Sequence, residues 1–460
     1  MPMRACQANK STAPLRRWAV AMLVLGASIA GAEPLTSDLF SYKVQKGDHL
    51  SALLASLLQL PNGAEKAFQD LQKLNASVDL HKLQAGQTLY IPRPWLQAQA
   101  NSARVTQVQC SGNYWPDMSN PDTKPLHVGD GVGEGSLLRV PPGCQVMLTL
   151  QDGSRIQMPS GAVMEITSLN TPKALGAPQV RLKLLEGRIG LDVFNKRPAN
   201  SVFEVQTPKT LAGVRGTQFR VGFDSKQQNS SVEVLQGEVK NRGQGDGNAS
   251  SLPQGMGQWV DAQGLGGQPQ KLLAAPGFQH YQLLNSATGA GQLGFSNVSQ
   301  AKGYAWREGL AVNQFEAGVQ QSSSALSLNV PSLGARAQAW YVSSVAPSGL
   351  QGMESTYALC HTEEPAANGY CSVAFDTSSF NGRPMRLVLE RLTAHGVNTT
   401  ALHWESKGPD NGRMWVGALQ PGVYRYDLRY LPADRDALNA EHWVSQNGQF
   451  QLINVHTGQH

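Results

Sequence analysis

The stretch Thr207–Val221, TPKTLAGVRGTQFRV, decides the fold class. Pro208 fixes its own φ and pushes Thr207 into the extended region, so an extended run ends there. Gly213 and Gly216 bracket Val214-Arg215, and Thr217–Val221 then alternates polar with large apolar side chains at the strand period of two. The chain is expected to stop, turn tightly and re-enter a sheet. The same alternation precedes the turn in Val202-Phe203-Glu204-Val205 and follows it in Ser231–Val239, and three strands in a row predict an all-β unit.

Working outward, Val146–Leu150 and Ser154–Pro159 flank Asp152-Gly153, the signal of a two-residue hairpin. Leu184–Ile189 and Val234–Val239 share one pattern: an apolar pair, a polar residue, Gly, a polar residue and a β-branched residue. That places Gly187 and Gly237 at bulges or hairpins needing φ > 0. The glycine cluster Gly129–Gly135 has no phosphate-loop spacing, follows no clear strand and opens no helix. With these strands in place, TP…VRGT.F.V and the following V.V..G.V resemble the FecR domain of bacterial envelope proteins, from about Val128 to about Val260. The resemblance implies an all-β domain, here bounded at 105–262. In the best-known members of that family it implies sensing of an outer-membrane receptor and signalling across the inner membrane to a sigma factor. Arg181, Lys183, Arg188, Arg197, Arg215 and Arg220 are read as the outward halves of alternating strands, the alternative being a basic face for a partner.

Only 15% of the residues are charged, and 47 of 460 are glycine, a mix that suits short strands and turns over a helical bundle. The formal charge of +5 is concentrated at the N-terminus: the first 32 residues carry Arg4, Lys10, Arg16 and Arg17 and no acid, and without them 34 basic residues face 33 acidic. Nucleic-acid binding thereby loses its support. Those 32 residues have the three parts of a secretory signal: a positive start, an apolar core from Trp18 to Ala30, and Ala30-Gly31-Ala32 as the cleavage site. The core is too short to span a bilayer. Cleavage is expected after Ala32, the alternative being an uncleaved anchor. Cys6 precedes the apolar core, so no lipid-bearing cysteine is implied. With only 17 residues ahead of that core, no cytoplasmic segment is expected, which disfavours sigma-factor regulation. The mature chain is expected in the periplasm with no membrane span.

After the leader, Tyr42–Leu50 reads as a strand and turn, Leu50–Leu58 and Glu65–Leu74 as helices, and Lys82–Pro92 as a turn at Gly86 and a closing strand. This β-α-α-β order spans residues 41–93. Val44-x-Lys46-Gly47-Asp48, Leu74-Asn75 and Leu83-x-x-Gly86-Gln87-x-Leu89-x-Ile91-Pro92 resemble the LysM fold residue by residue. The resemblance implies binding of N-acetylglucosamine-containing glycans, chiefly peptidoglycan. The groove it implies lies between a first loop, Gly47, Asp48, His49 and Leu50, and a second, Asn75, Ala76, Ser77 and Val78. Backbone amides and small polar side chains there suit a neutral sugar. His49 stands where the family carries Thr, and Leu58–Glu65 reads as an insertion. The alternative is a module that keeps the fold without the groove. Gln97–Arg104, polar and aperiodic, reads as a linker.

Past a Gly- and Gln-rich stretch with a second linker at Gly264–Ala275, strand-like runs fill 276–359 and 371–456. Each part ends in a small turn, an alternating aromatic strand and a polar loop, which predicts one duplicated unit: two immunoglobulin- or fibronectin-III-like β-sandwich repeats. Trp306, Trp340, Trp404, Trp415 and Trp443 are expected in cores, the alternative being sugar stacking. Discounting Cys6, Cys110, Cys144, Cys360 and Cys371 form an even set in an exported chain, which reads as disulfides. Three connectivities are possible; pairing within each segment, Cys110 with Cys144 and Cys360 with Cys371, is favoured over the others and over free thiols. No zinc spacing occurs, and no nucleophile, metalloprotease or nucleotide motif does either. Neither cofactor, metal nor catalytic residue is therefore expected. The chain reads as a mainly β, non-enzymatic envelope protein that binds peptidoglycan and offers its sandwiches to an unidentified envelope protein. The alternative is a FecR-type periplasmic regulator of transport or sigma-factor activity.

Overall fold

The computed structural model describes residues 39–58, 64–110, 125–194, 198, 200–246, 248–314, 321–362, 370–377, 385–393, 396–398, 404–406, 413–430 and 444–455. The leader, Arg197 and Trp443 lie outside the described residues. Apart from helices Leu50–Leu57 and Ala64–Leu74 and a single 3-10 turn at Arg93–Trp95, every regular element among the described residues is a strand.

The decisive stretch makes one more strand than its alternation suggested. Val202–Gln206 ends at Thr207, as Pro208 requires. The chain then turns back as Thr210–Val214, running through Gly213, and pairs antiparallel with the strand it has just left. Thr207 organises this turn: its hydroxyl accepts from the amides of Lys209 and Thr210 and bonds Ser230 Oγ. The tight reversal comes at Gly216, with φ of 66°, and leads into Gln218–Asp224. Ser231–Val239, read as one strand, is divided at Gly237 into Asn229–Gln236 and Glu238–Gly243. Both sequence-flagged glycines adopt left-handed φ, Gly187 at 80° and Gly237 at 84°. A Cβ on Gly237 would sit 2.7 Å from the Gly216 carbonyl oxygen.

The long strand Gln179–Asp192 joins two sheets. Its first half pairs parallel with Val202–Gln206 and antiparallel with Val163–Pro172; its second half pairs antiparallel with Gln218–Asp224 and Arg155–Met158. Between the sheets lies one apolar core that includes Val105, Leu148, Ile156, Leu182, Leu191, Phe203, Phe219, Val221 and Val234. Side chains alternate across each strand, so the opposite faces carry the polar residues.

Two linker readings are corrected. Gln97–Arg104 supplies the strand Ala98–Ala100, paired with Asn170–Pro172, and the start of Ser102–Cys110. Its alternating alanines fit a sheet although the run carries no apolar period. In Gly264–Ala275, Gln270-Lys271 pairs with Met256-Gly257, and Leu273 accepts from the Met353 amide.

The C-terminal third is sandwiched sheet. A strand from each sequence half joins the two: Gln351–Cys360 pairs parallel with Val444–Asn454, so a single sheet runs through both. Phe278–Asn285, Ala290–Phe295 and Ser327–Val330 form a separate three-stranded sheet, and Cys371–Asp376 pairs with Arg413–Leu419 in another. One strand shows the layering: Trp340 and Val342 enter one core cluster, Ala339 and Tyr341 the other. Cys110 is bonded to Cys144 and Cys360 to Cys371. Trp340 is buried, Trp306 half-buried, and Trp415 is exposed with Arg336 over its ring at 4.9 Å. The side chain of Trp404 lies outside what is described.

Candidate functional site

The first module is a two-stranded ladder, Leu39–Lys43 against Thr88–Pro92, covered by the two helices. Leu53, Leu71, Val78, Leu80, Leu89 and Ile91 fill its core. The apolar set is completed from outside the module: Leu96 belongs to the same cluster, and Ala174 and Leu175 pack against it.

Both loops flagged in the sequence hang from this ladder. The first turns at Gly47, with φ of 95°. Asp48 closes it, accepting from the Gln45 amide at 2.6 Å and the Tyr42 hydroxyl at 2.9 Å. Partial burial, then the hydrogen bond to Asp48 and its charge, hold the Tyr42 phenol above its ordinary pKa. His49 occupies the N-cap of the first helix with extended backbone and makes no capping bond. The first-turn amides therefore lack the side-chain acceptor that Ser, Thr or Asp would supply.

The second loop is sewn to the ladder by Asn75. Its Nδ2 donates to Leu71 O at 2.9 Å and Tyr90 O at 2.8 Å, and its Oδ1 accepts from Tyr90 N at 2.7 Å. Val78 N donates to Asn75 O, and Gln72 Nε2 donates to Val78 O, so residues 75–78 are held at both ends. Tyr42 pairs with Leu89 and Ser41 with Tyr90, which ties the two loops to adjacent rungs of one ladder.

The eight sequence-flagged residues therefore divide. Gly47, His49, Ala76 and Ser77 are exposed, and Asp48 and Leu50 are half-buried. The side chains of Asn75 and Val78 are buried: one makes three backbone bonds, the other packs in the core. Tyr90 was missed. It is 46% exposed beside the second loop, and alternation with buried Leu89 and Ile91 was the signal that could have found it.

The family comparison decides the assignment of both segments: residues 42–92 match the LysM domain and residues 136–240 the FecR protein family. The chain carries a LysM domain and a FecR domain. No curated protein matches the chain. Among solved structures, a candidate anti-sigma factor from Parabacteroides distasonis is 20% identical over 30% of this chain and 59% of its own, with a TM-score of 0.26. The FN1–FN3 domains of chicken CNTN1 are 10% identical over 58% of this chain and 98% of that one, with a TM-score of 0.14. The chain thus spans under two thirds of the length of the first of these.

Among the described residues, the basic side chains flagged in the FecR segment do not all stand bare. Arg181 pairs with Glu204 at 2.9 Å and Arg188 with Glu233 at 2.6 Å, while Arg220 is wholly buried. Arg181, Lys183, Arg188 and Arg220 alternate with core residues along their strands and point outward, Arg215 lies in the turn between two strands, and Arg188 and Arg220 meet the C-terminal sheets. Among the described residues, no three His, Cys, Asp or Glu side chains cluster as metal ligands, and no helix is long and apolar enough to cross a membrane.

Proposed function

We propose that this chain is an exported, non-catalytic protein of the bacterial cell envelope that binds peptidoglycan through its LysM domain. Its FecR domain and sandwiches serve protein interaction. The observation that carries the reading is the pair of loops fixed to one ladder, with Gly47, His49, Ala76 and Ser77 uncovered. Asp48 and Asn75 hold these loops through internal bonds, so the rims present mostly backbone and short side chains. Such a rim suits acetamido and hydroxyl groups of an uncharged glycan, which need placed donors and acceptors and no ion. Two disulfides agree with an oxidising compartment such as the periplasm, and with removal of residues 1–32 on export.

Co-sedimentation with purified peptidoglycan sacculi tests the reading. The mature chain from residue 33 should be used intact, because Leu96, Ala174 and Leu175 complete the LysM core. The protein is expected in the pellet; protein that stays in the supernatant refutes glycan binding. A second reading, a FecR-type signalling regulator, is favoured by the FecR match over 136–240. A mature N-terminus other than residue 33, retained on the cytoplasmic side, would support it.

A further inference from the structure

The outward face of one FecR-segment sheet is covered by the C-terminal sandwich, and its composition is unusual for a covered face. The inner face of the same strands is apolar, with Val105, Leu148, Ile156, Met158, Leu191, Phe219 and Val234 in the core. The outer face presents Gln107, Gln145, Arg155, Gln157, Arg188, Arg220 and Glu233, and of these Gln145, Arg155, Gln157, Arg220 and Glu233 are buried. A face that never met water would gain by being apolar, since charge burial demands full compensation.

Three of the ion pairs at this face lie wholly within one side, and Arg220 is compensated from across it. Arg155 pairs with Asp192 at 2.7 Å and Arg188 with Glu233 at 2.6 Å, both within the FecR segment. Arg307 grips Glu354 with two guanidinium nitrogens within the sandwich. Glutamines relay across the FecR face from Gln157 to Gln145 to Gln109, and Gln107, itself bonded to Gln109, receives Gln314 of the sandwich at 3.0 Å. Five further crossing contacts among the described residues converge on one short segment, Leu350–Glu354. Arg220 Nη1 donates to Gly352 O at 3.1 Å and Gln351 O at 3.4 Å, and its Nη2 lies 3.7 Å from Glu354. Gln351 N donates to Glu233 at 3.1 Å, and Arg188 donates to Gln351 Oε1 at 3.1 Å. Apolar contact across the junction comes from Phe194, which joins the sandwich cluster, and from Leu350 against Gly257.

We infer that Arg220 is the latch of a separable clasp, in which the sandwich occludes the FecR sheet face in cis. Interfaces between domains are of the polar, separable kind by default, and here three ion pairs survive separation intact. Opening breaks the Arg220, Gln351 and Gln314 bonds and the Phe194 and Leu350 contacts. The face so released would carry Arg155, Arg188 and Arg220 and suits an extended segment bearing a carboxylate, as Glu354 now supplies. While the clasp is shut, that face is withheld from any outside partner.

Arginine footprinting with phenylglyoxal on the mature chain tests the latch. Arg155 reports on the covered face, Arg242, buried elsewhere in the FecR segment, on the integrity of that segment, and exposed Arg425 on reagent access. In Arg220→Met, Arg155 should be modified at least about tenfold faster than in the wild type, with Arg242 unchanged. Unchanged Arg155 overturns the latch; Arg155 and Arg242 rising together overturns separability. Urea titration of the wild type gives the same decision without a variant. Arg155 should become reactive at lower urea than Arg242, and coincident midpoints overturn the proposal.

Discussion

Asn75→Ala is the most informative single change in the LysM domain. The side chain is 3% exposed and makes three backbone bonds, two of them to Tyr90 on the closing strand. A net contribution of about 1 kcal/mol per bond, with a further penalty where a buried group is stranded, places the loss at about 2–4 kcal/mol. That cost falls on the loop carrying Ala76 and Ser77 and on the strand facing it, so domain stability and sacculus binding should fall together. Differential scanning calorimetry should show a lowered LysM transition, with the FecR and sandwich transitions unmoved. Co-sedimentation with sacculi should drop at least tenfold. Ser77→Ala, at an exposed position with no core role, should leave the transition in place and weaken binding alone. An Asn75→Ala protein that melts and sediments like the wild type would refute the claim that Asn75 organises the site.

Three further outcomes follow from the fold. Gly237→Ala should destabilise the FecR segment by about 2–4 kcal/mol in urea unfolding, because Ala at φ of 84° is strained and its Cβ would lie 2.7 Å from the Gly216 carbonyl. Burial raises the Tyr357 phenol to about 12, and its hydroxyl donates to Pro276 O. A raised folded pKa gives stability that is complete below pH 10 and lost as the pH climbs toward 12; the phenolate absorbance that wild type shows in excess of Tyr357→Phe should therefore rise together with unfolding in that window, and a difference signal near pH 10 in the folded protein would count against it. Replacing Cys360 and Cys371 with Ser opens a bridge between residues 11 apart and should cost about 3 kcal/mol in the sandwich transition.

Much of the fold was legible because the signals were local. Pro208 ended a strand, Asp152-Gly153 made a hairpin, and Gly187 and Gly237 needed left-handed backbone. Each is a property of one residue's conformational map. The strand through Gly213 was not legible, since a glycine inside an alternation reads as a turn until a partner strand, here Glu238–Gly243, is known to pair with it. The same holds for Gln97–Arg104, whose polar side chains concealed a strand held by long-range pairing. Parallel pairing of Gln351–Cys360 with Val444–Asn454 joins the sequence halves of the sandwich region, and a repeat pattern says nothing about such a partner. In the candidate site, motif spacing located both loops but not the roles within them. Sequence places Asn75 in the second loop and shows its amide, but hides that the side chain is buried against Leu71 and Tyr90. Arg188 and Arg220 were read correctly as outward-facing, but what lies outside a sheet is decided by chain some 130 residues further on.

The most direct test of the account is hydrogen–deuterium exchange of the mature chain with and without a chitin pentasaccharide, read by mass spectrometry. Slowed exchange confined to peptides covering residues 45–52 and 74–80, with the saccharide recovered at its original length, is the expected result. Unchanged exchange in both peptides, or recovery of shortened saccharide, would contradict a glycan-binding module that leaves its ligand intact.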